Sequence, residues 1–409
     1  MIEPMIYHGE FWIPSDNTSE QCVINTGTLQ IVEGEKALLA IHKIKIGGVM
    51  QTFDTISVVW GSIADDFPVT LFGVRFQQLK GTSYVSFTVR CVLCGQHVRS
   101  LDTPAFNECV VKYPHLHNWA STNRLSLQQN PNKWSIEIDK TDIHTPLVES
   151  ELDIGERAMI FEDVTTRLVP FKQEAEQSSY LKFQMDRLVS ISHFYELIVE
   201  FTQFFAIAQY FQQYPTEIYF RANGEKVQLL YSVGQSDKPR RDALIQFSEL
   251  KDKLPEMIKR WHSNYKQVSP ICRYLLQTVR QNTFDFPDFL IVAHALQGYH
   301  KRFLNKKDGG KDIRKYKEEV DILLDRFKDV EVIKKININT EVLEQSRDKY
   351  SHLIPDEEKP LAVEGLELYA LTKKCKVLLT CCILDMLGLD TDEINLCCNK
   401  SYLSSIIPT

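Results

Sequence analysis

The sequence predicts an α+β protein, with a β-rich domain over residues 1–240 followed by an all-α helical bundle over 241–409. Three observations predict it. Runs rich in Val, Ile, Thr and aromatics alternate with Gly, Asp, Asn and Pro clusters in the first half, as strands and turns do. An Asn-Gly pair at 223–224 separates two more strand-like runs. Beyond about residue 240 the apolar residues recur at helical rather than strand spacing.

Taken in order, strands are expected at 23–32, 37–46, 52–60 and 84–98. In the last of these Val85, Phe87, Val89 and Cys91 fall on one face and Tyr84, Ser86, Thr88 and Arg90 on the other, a sheet with one wet face. GSIADDFP (61–68) and NPNK (130–133) read as turns. Residues 190–213 form one strongly apolar helix, and Asn223-Gly224 closes a hairpin over 216–233. Residues 232–242 are the expected linker. Helices then follow at 248–266, 269–282, 286–304, 312–328, 340–352, 359–388 and 391–402. In 286–304, Phe286, Phe289, Leu290, Ala293, Leu296, Tyr299 and Phe303 mark one apolar face.

Composition excludes several classes. With 44% apolar and 25% charged residues the chain is globular rather than disordered or collagen-like. At about 150 residues per domain, its length allows two domains. The apolar run 377–389 is interrupted by Asp385 and falls short of the roughly 20 residues that span a bilayer. The opening MIEPMIYHGE shows no basic and apolar leader, so a cytoplasmic, membrane-free protein is expected. A net charge of −7 argues against a surface built wholly for nucleic acid but leaves room for a local basic patch. The ten cysteines are expected to be reduced and mostly buried.

Phosphate-loop, dinucleotide, zinc-protease and serine-hydrolase signatures are absent from the sequence. Cys91, Cys94 and Cys109, with His97, His115 and His117 nearby, raise a zinc site as a rival to plain core packing. The most informative segment is SRDKYSHLIP (346–355), where Arg347 precedes His352 by five positions. An imidazole that titrates near neutrality can take or give a proton, and a guanidinium fork can hold a phosphate. Metal-free RNA cleavage by the RNA's own 2′-hydroxyl would use that pair; a surface Arg and a solvated helix-end His are the alternative. Arg90/His97 and Arg187/His193 have similar spacing but lie in the β-rich half. The stretch 300–317 carries eight Lys or Arg against two Asp. It reads either as a backbone-binding patch, with Lys301, Arg302, Lys306 and Lys307, or as a solvated loop.

Arg347-Asp348-x-x-x-His352 resembles the R-[N/D/H]-x-x-x-H signature of HEPN ribonucleases. Gly9-Glu10-Phe11-Trp12-Ile13-Pro14, Gly27-Thr28-Leu29, Gly95-x-His97, Phe106 and Leu116-x-x-Trp119 resemble the N-terminal domain of ApeA-type abortive-infection proteins. The resemblance implies an anti-phage effector: a sensing β-rich domain joined to a HEPN bundle that cuts RNA, tRNA among the candidates, once a phage-derived trigger appears. It implies a homodimer or higher homo-oligomer, no cofactor and no metal. It makes Arg347 and His352 catalytic and Asp348 a supporting residue. Lys349 and Tyr350 lie inside the motif with no fixed role. HEPN domains often carry an acidic residue on the facing helix; Gln297 stands where it is sought, and His300, a turn away, either faces the cleft or, as the favoured reading, lies on the helix surface. The rival reading is a HEPN bundle that dimerises and scaffolds without cutting.

Overall fold

The computed structural model describes residues 5–14, 25–31, 35–42, 55–80, 84–122, 125–130, 133–138, 145–169, 172–222, 224–232, 234, 236–238, 243–281, 286–305 and 315–401. The protein has an α+β fold, and the chain divides into two compact units.

The first unit comprises 1–117, 121–199 and 214–236. Six strands open it: β1 (Met5–Trp12), β2 (Asn25–Ile31), β3 (Ala37–His42), β4 (Thr55–Ile63), β5 (Phe67–Lys80) and β6 (Tyr84–Cys94). They pair in the order β6-β3-β2-β1-β4-β5, and β5 pairs back onto β6, closing an antiparallel barrel. Alternation puts Phe11, Leu29, Leu39, Ile41, Val59, Val69, Leu71, Phe87 and Val89 inside it. The face expected from 84–93 is the face buried: Val85, Phe87, Val89 and Cys91 are buried, and Arg90 is exposed.

The glycines of the opening motif are steric requirements at the barrel seam. Gly9 pairs with Gly27 on one side and Ile63 on the other, and a Cβ there would strike the carbonyl of Ser62. Gly61 faces Phe11 in the register, and a Cβ would lie 2.5 Å from its ring. The other motif residues meet at one place. The His97 ring stacks on Trp60 at 5.1 Å and meets Trp12 edge-on at 5.4 Å, while the Trp60 Nε1–H donates to the Val98 carbonyl at 3.0 Å.

β6 leaves the barrel along its own length. Its first residues pair with β3, and Cys91 to Cys94 pair with a later strand. The sheet continues through β7 (Phe106–Lys112), β10 (Val148–Asp153), β11 (Glu156–Val169), β12 (Lys172–Val189), β13 (Glu217–Ala222) and β14 (Glu225–Tyr231), in the order β14-β13-β7-β12-β11-β10. β8 (Leu125–Asn130) and β9 (Lys133–Ile138) pair antiparallel as a separate two-stranded sheet; Pro131 and Asn132 of the expected NPNK turn lie outside the described residues. β13 and β14 are the hairpin expected at Asn-Gly, with Gly224 at φ +87°; Asn223 itself lies outside the described residues.

The second unit comprises 118–120, 200–213 and 237–409. It differs from a cut at residue 240, because the expected helix at 190–213, observed as α2 (Ile191–Gln209) after the short α1 (Leu116–Trp119), has its second half counted here. Side-chain packing explains it. Phe204 meets Trp261 at 5.7 Å, Phe205 meets Trp119 at 5.8 Å, and the Trp119 Nε1–H donates to the Ile245 carbonyl.

The remaining helices are α3 (Phe247–Leu250), α4 (Leu254–Gln281), α5 (Phe286–Tyr299), α6 (Tyr316–Arg326), α7 (Glu331–Ile336), α8 (Thr340–His352), α9 (Gly365–Met386) and α10 (Thr391–Lys400). The helices expected at 248–266 and 269–282 are mostly one, α4, which runs through Pro270. A proline removes one helical donor and loosens its turn. Side-chain donors meet carbonyls beside it: Gln203 Nε2 binds the Ser269 carbonyl at 2.8 Å, and Arg302 Nη1 binds that of Gln267 at 2.5 Å. α9 is buried without a break from Cys375 to Leu384, which explains its apolar run; Cys381, Cys382, Cys397 and Cys398 pack in the core as reduced cysteines. Among the described residues no helix is long and apolar enough to cross a membrane.

Candidate active site on the Arg-His motif helix

α8 has defined ends. The Asn339 side chain accepts from the backbone N–H groups of Glu341 and Val342, satisfying donors that a helix start leaves open. At the other end Leu353 adopts φ +53°, and its N–H and that of Ile354 return to the Lys349 carbonyl. The helix therefore stops at His352, two residues before the Ile354-Pro355 pair that disfavours helix. Five helical steps turn a side chain by about 500°, so Arg347 and His352 leave α8 roughly 140° apart.

Arg347 is held on the inner side. Its Cζ lies 5.2 Å from the centre of the Tyr316 ring, and its Nη1 donates to Asp348 Oδ1 at 3.0 Å. Its Nε is buried and meets no acceptor among the described residues. The Tyr316 ring is itself fixed by its hydroxyl, which donates to the Ala293 carbonyl of α5 at 3.2 Å. Burial raises the phenol pKa well above its ordinary value, and Arg347 acts in the opposite sense. The guanidinium thus rests on a neutral aromatic face, a favourable cation–π placement.

The other motif residues fasten α8 to the segment before α9. Asp348 is shared by Arg347 and Lys359, each at 3.0 Å. Burial pushes its carboxyl up, but the hydrogen bonds from Lys359 and Arg347 outweigh it and the net shift is downward. Lys349 is ion-paired with Asp356 at 2.6 Å and with Glu364. Tyr350 donates to the Val363 carbonyl at 3.1 Å and stacks on Phe286 at 5.5 Å. His352 is exposed at the helix end.

Against this geometry stand two family matches. The model of the ApeA N-terminal domain 1 matches residues 6–261, and that of the Apea-like HEPN domain matches 290–393. The chain belongs to the ApeA family. Its C-terminal helical region holds the ApeA-like HEPN domain, which contains α6, α8, most of α5 and both ends of the Arg347–His352 motif. No curated protein and no solved structure matches the chain significantly.

Within the ApeA HEPN domain, the remaining sequence-derived residues sort by contact. Gln297 does not stand alone: its Nε2 donates to Glu319 Oε2 at 2.7 Å, and Glu319 is 1% exposed. A buried carboxylate is present, supplied by α6 rather than α5. His300 is not a helix-surface residue. It lies four positions after Leu296, on the buried stripe of α5, where the helix widens into a π-helical turn over His300–Leu304. Lys301 is exposed, 3.9 Å from Glu319 Oε1. Arg302 is tied to the α4 carbonyl described above. Lys306 and Lys307 lie outside the described residues.

The sequence reading missed His294 as well as Glu319. His294 is exposed on α5. Burial, then Arg347 and then His352 lower its pKa. The signal was its spacing: Phe286, Leu290 and His294 recur every four residues, and Phe286 is the residue that stacks on Tyr350.

In the ApeA N-terminal domain, Cys109 and the Cys91/Cys94 pair do not converge. β7 and β6 are three strand steps apart in the sheet, or about 14 Å at the usual spacing, too far for one zinc ion. Burial pushes the Cys91 and Cys94 thiols up to about 11, opposing the thiolate form that metal binding needs. Among the described residues no group of three or more His, Cys, Asp or Glu is placed to hold a metal ion.

Proposed function

We propose that this ApeA-family protein is an anti-phage abortive-infection effector whose HEPN domain is a metal-independent endoribonuclease, restrained until infection. The observation that carries the reading is Arg347, braced between Tyr316 and Asp348 on the helix that ends at an exposed His352, inside the HEPN match. The guanidinium would hold the scissile phosphate and stabilise the charge that develops on it. His352 would move a proton while the 2′-hydroxyl attacks, leaving a cyclic phosphate. Asp348 would keep the guanidinium in place, and the ion-paired Lys349 would hold the motif helix rather than the substrate.

The partners are RNA, with tRNA one candidate, a phage-derived trigger read by the N-terminal domain, and a second copy of the chain. Exposed Leu353, Leu361 and Leu366, at 83%, 44% and 77%, border the motif helix and offer an apolar rim for that copy. The working compartment is the cytoplasm.

The test is made in infected cells that carry the wild-type chain, Arg347→Ala or His352→Ala at equal expression. The reading expects growth arrest and fragmented RNA with wild type alone. Arrest that persists in both variants would favour a scaffold that does not cut.

A further inference from the structure

The chain carries a net charge of −7, yet one helix runs against that balance. From 257 to 281, all but the first three residues of α4, there are five Lys or Arg and no Asp or Glu. The inner side of α4 is used in packing: Trp261 meets Phe204 of α2, and the Ser269 carbonyl accepts from Gln203. On the outer side Lys259, Lys266 and Arg273 recur every seven residues, and all three are exposed. Seven residues drift by only about 20° around a helix, so the three cations form one row about 21 Å long. Among the described residues none of them meets a carboxylate; Arg260, off the row, pairs with Glu256 at 2.9 Å. Tyr274 is exposed beside the end of the row. Arg302, held by its Nη1 on the Gln267 carbonyl, brings a further exposed guanidinium to the flank.

We infer that the outer face of α4 is an RNA-binding track, separate from the motif helix, that grips the phosphate backbone through Lys259, Lys266 and Arg273 and stacks an unpaired base on Tyr274. The inference rests on the nuclease reading above for the identity of the polyanion as RNA, and adds where that RNA is held. Of the cations expected to bind it at 300–317, Arg302 joins this face. Lys266, Arg273 and Tyr274 lie between the two family matches, which end at 261 and begin at 290.

Charge sign and chemistry favour RNA. A helix face that only meets water mixes acids with bases, whereas this row has one sign and no internal partner. Neutralising phosphates releases their counterions, which makes such a row a site for a polyanion. An exposed aromatic ring beside it gives an unpaired base a surface to stack on. A membrane fits less well, because a helix lying in a bilayer surface turns its apolar side outward, and α4 keeps Trp261, Val268, Leu275 and Leu276 buried. The face is exposed in the protein as it stands, so RNA binding here needs no trigger.

The experiment follows binding of a labelled single-stranded RNA of about 20 nucleotides by anisotropy between about 50 and 200 mM salt. The full-length protein carries His352→Ala, which keeps the RNA whole. Lys259→Gln, Lys266→Gln and Arg273→Gln together should weaken binding at least about tenfold and make the slope of log affinity against log salt shallower by about 2. Glutamine is a good helix former, so α4 persists. Tyr274→Ala should weaken binding about fivefold or more at an unchanged slope. A control that removes three exposed charges elsewhere, Lys328→Gln, Lys334→Gln and Lys335→Gln, should stay within about twofold. Equal losses in the two triple variants, an unchanged slope in the α4 triple, or no RNA binding by the parent protein would each overturn the track. So would loss of binding to phosphatidylglycerol vesicles in the α4 triple with RNA binding intact, which would assign the face to a membrane.

Cleavage separates this inference from the reading beneath it. With His352 restored and lysate from infected cells supplied, the α4 triple should lose activity through KM rather than kcat. A wild-type KM in the triple would overturn the track and leave the nuclease reading standing. RNA bound on this face by a protein that never cuts would overturn the nuclease reading and leave the track.

Discussion

Arg347 lies on the Tyr316 ring and bonds Asp348, and these surroundings say which property matters. A lysine would keep the charge but lose the planar fork that lies on Tyr316 and bonds Asp348. Arg347→Lys is therefore expected to reduce RNA cleavage at least about tenfold while leaving the melting temperature nearly unchanged, because no apolar core is opened. Asp348 carries a pH signature. Its folded pKa is depressed, so the stability it adds is complete above the ordinary carboxylate value of about 3.9 and is lost as pH falls through the lower folded value. The stability gap between wild type and Asp348→Asn should be widest at neutral pH and should close on acidification below about 4, as followed by urea unfolding at a series of pH values. At this scale the sequence was partly legible. Arg347 and His352 could be picked out by spacing, and Asp348 by the resemblance to the HEPN signature. Glu319 could not, because it meets Gln297 only when α5 and α6 pack.

At the scale of elements, α8 was the most readable part of the chain. Its span matched the expected 340–352 because both ends are written locally: an Asn that caps the start and a proline just beyond the stop. Replacing Asn339 by Ala leaves two backbone donors without their acceptor and should cost about 1 kcal/mol of stability, read by denaturant melts. The barrel seam offers a second test. Gly61→Ala places a methyl group 2.5 Å from the Phe11 ring, an overpacking that should cost about 1–3 kcal/mol. Equal stability of the variant would mean that Phe11 has room to move. Elements that depend on distant partners were less readable. α4 was broken between 266 and 269 in the sequence reading, since the donors that reach carbonyls in this stretch come from Gln203 and Arg302, far along the chain. β5 went unnamed because the turn GSIADDFP hid its start.

For the whole molecule, α+β order and the change of period near residue 240 were visible, but closure of the barrel was not. It requires β5 to pair with β6 while β6 also pairs with β3 and β14, a relation among strands that no local pattern encodes. The division into units follows the same rule: Phe204 and Phe205 of α2 join the helical unit through Trp261 and Trp119, which composition alone does not reveal. The proposed dimer belongs to this scale too. Charge placed on the apolar rim, as Leu353→Glu with Leu366→Glu, should lower the mass in light scattering from twice the 47.4 kDa of one chain to a single chain. An unchanged mass would move the interface elsewhere.

The central claim is that Arg347 and His352 cut RNA without a metal. It is tested most directly by mapping the RNA ends made by purified protein in EDTA, with lysate from infected cells supplied as trigger. The account predicts 2′,3′-cyclic phosphate and 5′-hydroxyl ends with wild type, and none with Arg347→Ala or His352→Ala. The same ends from both variants, or 3′-hydroxyl ends that disappear on chelation, would contradict it.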